Sequence, residues 1–458
     1  MPFHWNPREH VALLRHALKW LLIGAPTGAV VGSAVAAFLW LLARATITRW
    51  DHPWLLWLLP VGGIGVGLLY HRFGKGIEGG NNLIVEQIHE PGGGVPARMA
   101  PLVLLGTVLT HLFGGSAGRE GTAVQMGGSI ASEIGKRLRL NPDDTRTLLM
   151  AGIAAGFGAV FGTPLTGAIF AAEVLAIGRI GLGAMVPCLI ASVAGNWTTR
   201  AIGIPHTEYH IGALLQTQLV SRVPGLNWLL LAKVAVAAVT FGLASVVFAE
   251  LTHGLHTVFK RLMPVPYLRP AIGGAIVIAL AFAVGPDYLG LGVTADPHHP
   301  GQVCIVSCFN HGGATPLSWW WKTLFTAVTL ASGFKGGEVT PLFFVGAALG
   351  NVMARLLHAP VDLFAGLGFV AVFAGATNTP LACTVMGIEL FAGSSSGLLD
   401  DGLVVYLAMA CFVAYLLSGH SGIYLSQRIG HGKLPSLDLP ADASLRTVRD
   451  RAMTGGPA

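Results

Sequence analysis

Arg119 and Glu120 sit in the stretch GGSAGREGTAVQMGGSI, Gly114 to Ile130, between two apolar segments. A carboxylate at membrane depth is expensive and marks a functional site by default. The glycines around it let backbone N–H groups approach a ligand closely. A helical pattern begins at Thr122, and the free amides and positive dipole end of a helix start attract anions. Glycine-rich turn, lone acid and helix start together describe an anion site with a titratable occupant, Glu120. The plainer alternative is an acidic first-turn residue beside Arg119.

Two more loop-to-helix junctions offer the same chemistry. Gly79-Gly80-Asn81-Asn82-Leu83 adds the side-chain amide of Asn81. In Gly336-Gly337-Glu338-Val339-Thr340-Pro341, Thr340 suits an N-cap and Pro341 the first helical position. Three junctions converging on one point would replace an anion's hydration shell without a full buried charge. Lys335 either attracts the anion from a distance or only neutralises Glu338.

Other chemistries find less support. Gly114-Gly115-Ser116-Ala117-Gly118 spells the G-x-S-x-G of an intramembrane serine hydrolase, with His111 nearby. That motif needs a strand before the serine, whereas an apolar helix-like segment precedes it here. The five cysteines lie mostly in apolar segments, and no histidine partners Cys304 and Cys308 at metal-ligand spacing, so they read as packing residues. His298 and His299 lack further ligands and read as a solvent loop. Glu250, His253 and His256 follow a span at helical spacing and read as snorkelling surface positions. No metal site and no cofactor is expected.

The elements that must hold these residues are membrane helices. Of the residues, 53% are hydrophobic and 11% charged, with mean hydropathy +0.64, against about 25% charged in soluble domains. The apolar runs are continuous rather than alternating, which argues against a β-barrel. The chain is therefore all-α and polytopic, and its net charge of +6 is a topology signal rather than a nucleic-acid one. Arg8, Arg15 and Lys19 precede the first span; Arg428, Lys433, Arg446, Arg449 and Arg451 follow the last. The positive-inside rule then puts both termini in the cytoplasm. Spans are expected at Trp20 to Ala43, Trp54 to Tyr70, Met150 to Ala176 with a break at Gly162-Thr163-Pro164, Ile180 to Ile202 and Trp228 to Phe248, with shorter ones to Leu417. Several fall short of the roughly 20 residues of a straight crossing, and broken helices are tolerated only where they line a cavity.

Two halves repeat. AGFGAVFGTPLTGAIFAAE (Ala155 to Glu173) matches AVFAGATNTPLACTVMGIE (Ala371 to Glu389) in its Thr-Pro-Leu and in a Glu ten residues after the Thr. GREGTAVQMGG, from Gly118, aligns with GEVTPLFFVGA, from Gly337. Repeats in transporters set the binding site at their interface, on discontinuous helices. The organisation expected is a short N-terminus (1–19), a transport domain (20–430) with repeats at about 50–205 and about 225–430, and a short tail (431–458). The polar stretch from His206 to Val223 connects the halves.

These residues resemble the CLC chloride channels and transporters. Gly118 to Thr122 is similar to that family's GREGP element, Gly337 to Pro341 to its GxFxP element, and Gly79 to Leu83 stands where GSGIP would. Tyr424 in SGHSGIYLSQ resembles the family's late anion-contacting tyrosine, although an interfacial aromatic at a helix end reads as well. The resemblance runs from Trp20 to about Ile429 and implies two inverted-topology repeats of tilted and broken helices. The departures are Asn81 for the usual serine, Thr122 for proline, Glu338 and Thr340 in the third motif, and Val174 at the usual internal proton-relay glutamate. Those substitutions resemble the fluoride-exporting, proton-coupled branch. It implies a fluoride/proton antiporter in a bacterial inner membrane, a homodimer through the helices Thr163 to Glu173 and Thr379 to Glu389. Glu120 and Glu338 would gate and carry protons, and Asn81, Gly118, Arg119, Gly121, Val339, Thr340 and Tyr424 would contact the anion. A chloride/proton antiporter or chloride channel of the same family is the alternative.

Overall fold

The computed structural model describes residues 7–90, 92–212, 226–391, 402–434 and 442–453. Much of the connection between halves and part of the tail lie outside these residues. In chain order the helices are α1 (Pro7–Asp51), α2 (Leu59–Phe73), α3 (Asn81–His89), α4 (Met99–Leu112), α5 (Glu120–Arg137), α6 (Pro142–Phe161), α7 (Pro164–Glu173) and α8 (Met185–Ala201). After the connection come α9 (Trp228–Leu262), α10 (Arg269–Val284), α11 (Ser318–Ala331), α12 (Val339–Leu357), α13 (Val361–Thr377), α14 (Pro380–Phe391), α15 (Leu403–Leu417) and α16 (Leu445–Met453). Two-residue strands β1 (Ala176–Ile177) and β2 (Arg428–Ile429) pair in parallel. This is the all-helical, broken-helix architecture the sequence implies.

Local chemistry explains the breaks. α6 ends at Gly162 with φ 80°, and Pro164 opens α7. α13 ends at Asn378 with φ 57°, and Pro380 opens α14. A left-handed residue terminates each helix and a proline, lacking an N–H, starts the next. The short helices so produced cap one another across the repeat. Glu389, near the end of α14, accepts from Leu165 N at 3.0 Å and from Thr166 N and Oγ1 at 2.7 and 2.6 Å, at the start of α7. Glu173, the last residue of α7, accepts from Leu381 N at 3.0 Å and Ala382 N at 2.8 Å, at the start of α14. Each carboxylate thus satisfies orphan amides of the other helix and complements its dipole.

Close packing repeats too. A Cβ on Gly127 of α5 would stand 2.1 Å from Gly152 O of α6, and one on Gly346 of α12 would stand 2.0 Å from Gly368 O of α13. Small residues let the backbones of membrane helices meet directly. The pairs α5–α6 and α12–α13 are therefore rigid supports, each presenting a helix start to the middle of the molecule.

Several boundaries differ from expectation. The first helix begins at Pro7 rather than Trp20, and its residues 8–18 are exposed. α9 runs on to Leu262, so Glu250, His253 and His256 lie within it. They are not snorkelling ends: His253 Nε2 bonds Gly422 O at 3.0 Å, and Glu250 pairs with Arg449 at 3.0 Å. The segment after α15 folds back on α3: Arg428 of β2 pairs with Glu90 at 2.5 Å and Arg446 of the tail with Glu86 at 3.5 Å.

Replacing Glu389 by Ala strands three donors at the start of α7. Hydrogen bonds to charged groups are worth about 1.5–3 kcal/mol, so a loss of that order is expected, read as an earlier melting transition of the detergent-purified protein. An unchanged transition would mean that the caps are idle.

Candidate functional site

The site is built where the two halves touch. α4 and α11 are each followed by a glycine with positive φ: Gly114 at 88° and Gly333 at 110°. Both chains then run extended to a glycine, Gly118 or Gly337, and these pair as an antiparallel bridge. Gly118 N donates to Gly337 O at 2.7 Å, and Gly337 N donates to Gly118 O at 2.8 Å. Two residues later each chain enters a helix: α5 at Glu120 and α12 at Val339.

This bridge moves the helix starts from where sequence reasoning set them. α5 starts at Glu120 rather than Thr122. Glu338, not Thr340, occupies the N-cap position of α12, so Thr340 and Pro341 fall inside the first turn. The physical reason is that the paired glycines leave only one residue, Arg119 or Glu338, before helical geometry begins. Thr340 consequently presents both its amide and its hydroxyl to the gap in front of α12.

Glu120 fills that gap. It is 1% exposed. Its Oε2 accepts from Thr340 N at 3.0 Å, from the Thr340 hydroxyl, and from Arg119 N at 3.2 Å. Its Oε1 lies 3.4 Å from Arg119 Nε, an ion pair by distance in which that N–H has no aligned acceptor. A carboxylate from the first repeat is therefore ligated at the helix start of the second, as a bound anion would be.

The third junction joins them. α3 starts at Asn81, after Gly80 with φ 56°. A Cβ on Gly121 would stand 3.1 Å from Asn81 Nδ2 and 3.1 Å from Gly337 Cα, so Gly121 is wedged between the other two junctions. Asn81 Oδ1 is buried without a hydrogen-bond partner. Behind it, Asn82 Oδ1 accepts from Ser426 N at 3.0 Å, which ties α3 to the segment carrying Tyr424. Tyr424, two residues before Ser426, is 4% exposed.

Of the sequence-predicted set, the structure therefore gathers Asn81, Gly118, Arg119, Glu120, Gly121, Glu338, Val339, Thr340 and Tyr424 around one region. Lys335 does not pair with Glu338 among the described residues; its ammonium sits 4.1 Å from the Tyr70 ring centroid. Val174 is buried, and its carbonyl accepts from Gln427 Nε2 at 3.0 Å. The hydrolase arrangement is not assembled. Ser116 Oγ bonds Thr326 Oγ1 at 2.9 Å, and both ring nitrogens of His111 face backbone carbonyls. The sequence offered His111 only as a neighbour of Ser116; its contact with the Ala117 carbonyl, in the loop before Glu120, was missed, and its position one turn before the glycines was the available signal.

With this geometry in hand, residues 62–419 match the family described as voltage gated chloride channel. The chain belongs to that family. It is a multi-pass membrane protein of ion transport. A chloride/fluoride channel protein of Pseudomonas syringae pv. tomato is 48% identical over 432 residues, 93% of this chain and 90% of the relative. The crystal structure of a CLC-type fluoride/proton antiporter superposes with TM-score 0.80 at 33% identity, covering 90% of this chain and 98% of that one. A slow cyanobacterial Cl−/H+ antiporter superposes with TM-score 0.71 at 20% identity, covering 95% and 98%, which speaks for the fold alone.

The bridge leaves no room for a side chain. A Cβ on Gly337 would stand 2.8 Å from Gly121 N, and overpacking against backbone costs about 1–3 kcal/mol. Gly337→Ala is expected to melt earlier, while Gly183→Ala, where a Cβ meets nothing within 4 Å, leaves melting unchanged. Equal melting of the two would mean that the halves meet loosely.

Proposed function

We propose that this chain is a proton-coupled fluoride exporter, exchanging fluoride for protons at the junction of its two repeats. One observation carries the reading: the Glu120 carboxylate is ligated by the amide and hydroxyl of Thr340 beside the amide of Asn81. Ionised, Glu120 occupies the anion position. Protonated, it loses the charge that the helix start of α12 attracts, leaves, and vacates its donors for the anion. One position with two alternating occupants links anion movement to proton movement.

Fluoride is small and tightly hydrated, so its site must offer strong donors. The Thr340 amide and hydroxyl, the Arg119 amide and the Asn81 side chain are four such donors around one point. Fluoride in the printed names of the 48% identical relative and the 33% identical structure supports the same choice. Glu338, beside the bridge, is the second acid of the cycle, and Tyr424 lines the inner side of the path. Glu173 does not substitute for a relay at Val174 in this scheme, since both its oxygens cap α14. The molecule works as a homodimer in a bacterial inner membrane, both termini cytoplasmic. α7 and α15's neighbour α14 would form the interface, where Leu165 and Leu381 are 44% and 37% exposed.

The second reading, a chloride/proton antiporter or chloride channel, is favoured by the family's own description. Reconstituted vesicles separate the two. A fluoride gradient is expected to drive proton movement and a chloride gradient to drive little. Glu120→Gln is expected to abolish the proton movement. Unchanged proton flux in that variant would remove Glu120 from the mechanism, and equal drive by chloride would favour the second reading.

A further inference from the structure

Asn81 opens α3, a helix of nine residues whose N-cap, Gly80, makes no side-chain cap hydrogen bond. The buried residues of α3, Ile84, Val85 and Ile88, are apolar. A Cβ on Gly128 would stand 2.7 Å from Ile84 Cδ1, so α3 lies directly on α5. Apolar contact is non-directional and does little to fix a short helix along its own axis. At the far end Arg146 Nε donates to Ile88 O at 2.7 Å. The end that carries Asn81 needs a polar tie of its own.

Ser426 supplies it. Its amide donates to Asn82 Oδ1 at 3.0 Å, and its hydroxyl donates to Glu86 Oε1 at 2.6 Å. Residues four apart share a helix face, so one serine grips two successive turns. Among the described residues, no other element hydrogen-bonds the first turn of α3.

Ser426 is itself held from three directions. It is 5% exposed. The carbonyls of its neighbours are fixed by the tail: Leu425 O accepts from Arg446 N and Gln427 O from Leu445 N, both at 2.9 Å. Gln427 is buried, and its Nε2 donates to Val174 O, just after α7, and to Thr377 O, at the end of α13, both at 3.0 Å. Both halves of the molecule and the tail therefore hold the residue that holds α3.

We propose that Ser426 is a positioning residue for anion binding: it sets where α3 begins, and so where Asn81 presents its amide beside Gly121. The proposal rests on the reading of Asn81 as an anion contact and not on which halide is carried. Glu86 serves in it as an acceptor rather than as a charge. Its ion pair with Arg446, at 3.5 Å, is about half exposed on both sides, and such pairs contribute little.

Hydrogen exchange tests the anchor without any anion. In Ser426→Ala the amides of residues 79–86 are expected to exchange faster than in wild type, while those of α5 keep their rate. Unchanged exchange in α3 overturns the inference. Should Ser426→Ala fail to fold, Glu86→Leu removes the acceptor of the same hydroxyl. Calorimetry of fluoride binding then asks whether the anchor serves Asn81. Ser426→Ala and Glu86→Leu are each expected to weaken binding roughly two- to tenfold, the range of one hydrogen bond. Glu86→Gln, which keeps an oxygen for the hydroxyl, is expected to bind as wild type does; a loss equal to that of Glu86→Leu overturns the acceptor role. In an Asn81→Ala background, Ser426→Ala is expected to cost nothing further, because no side-chain amide is left to place. A loss that adds fully to that of Asn81→Ala is what a merely structural role gives, and it sinks the inference alone. Wild-type affinity in Asn81→Ala sinks the reading of Asn81 as a contact and the inference with it. If wild type binds no fluoride, the fluoride reading fails, and the exchange result with the same cycle run in chloride decides on Ser426.

Discussion

Everything else in the structure serves the contact between the Glu120 carboxylate and the start of α12. A buried carboxylate keeps its charge only if donors replace water, and here the donors come from the other repeat. Thr340 supplies an amide at 3.0 Å and a hydroxyl, and Arg119 an amide at 3.2 Å. The consequence is mechanical as well as electrostatic. Losing the charge on Glu120 removes the strongest polar tie between the first turns of α5 and α12, leaving the glycine bridge to hold the register.

That division of labour explains the glycines. The bridge uses backbone on both sides, Gly118 and Gly337, and needs no charge on Glu120 for its hydrogen bonds. It survives only while Gly121 stays slim, since Gly121 is pressed between Asn81 Nδ2 and Gly337 Cα. The helix pairs α5–α6 and α12–α13 keep it in place through backbone contacts at Gly127–Gly152 and Gly346–Gly368. A neutral backbone bridge and a charged side-chain contact occupy the same few ångströms.

Much of this was legible in the sequence, for identifiable reasons. An acid between glycines in an apolar setting has few structural uses, so Glu120 stood out. The Thr-Pro-Leu repeat survived because proline and the left-handed residue before it are needed wherever α6 or α13 must break. Helix starts were less legible. GEVTP contains a good N-cap, Thr340, and a good first residue, Pro341, and local propensity favours that register. The inter-repeat bridge overrides it by fixing Gly337, a constraint that depends on a residue more than two hundred positions away. Glu250 and His253 were misread for a similar reason. Their partners, Arg449 in the tail and the Gly422 carbonyl after α15, are distant in sequence, and no periodicity within α9 announces them.

The repeat also places a matched pair of carboxylates at helix starts. Glu173 and Glu389 occupy corresponding positions and do the same work, each capping the short helix of the other half. A carboxylate holding two or three donors at a helix start is committed, because leaving would strand those amides in a medium without water. Glu120 is ligated in a similar way at α12, yet it differs in one respect. The Arg119 Nε–H, 3.4 Å from its Oε1, is buried without an aligned acceptor, so a donor beside Glu120 stays unsatisfied by that carboxylate.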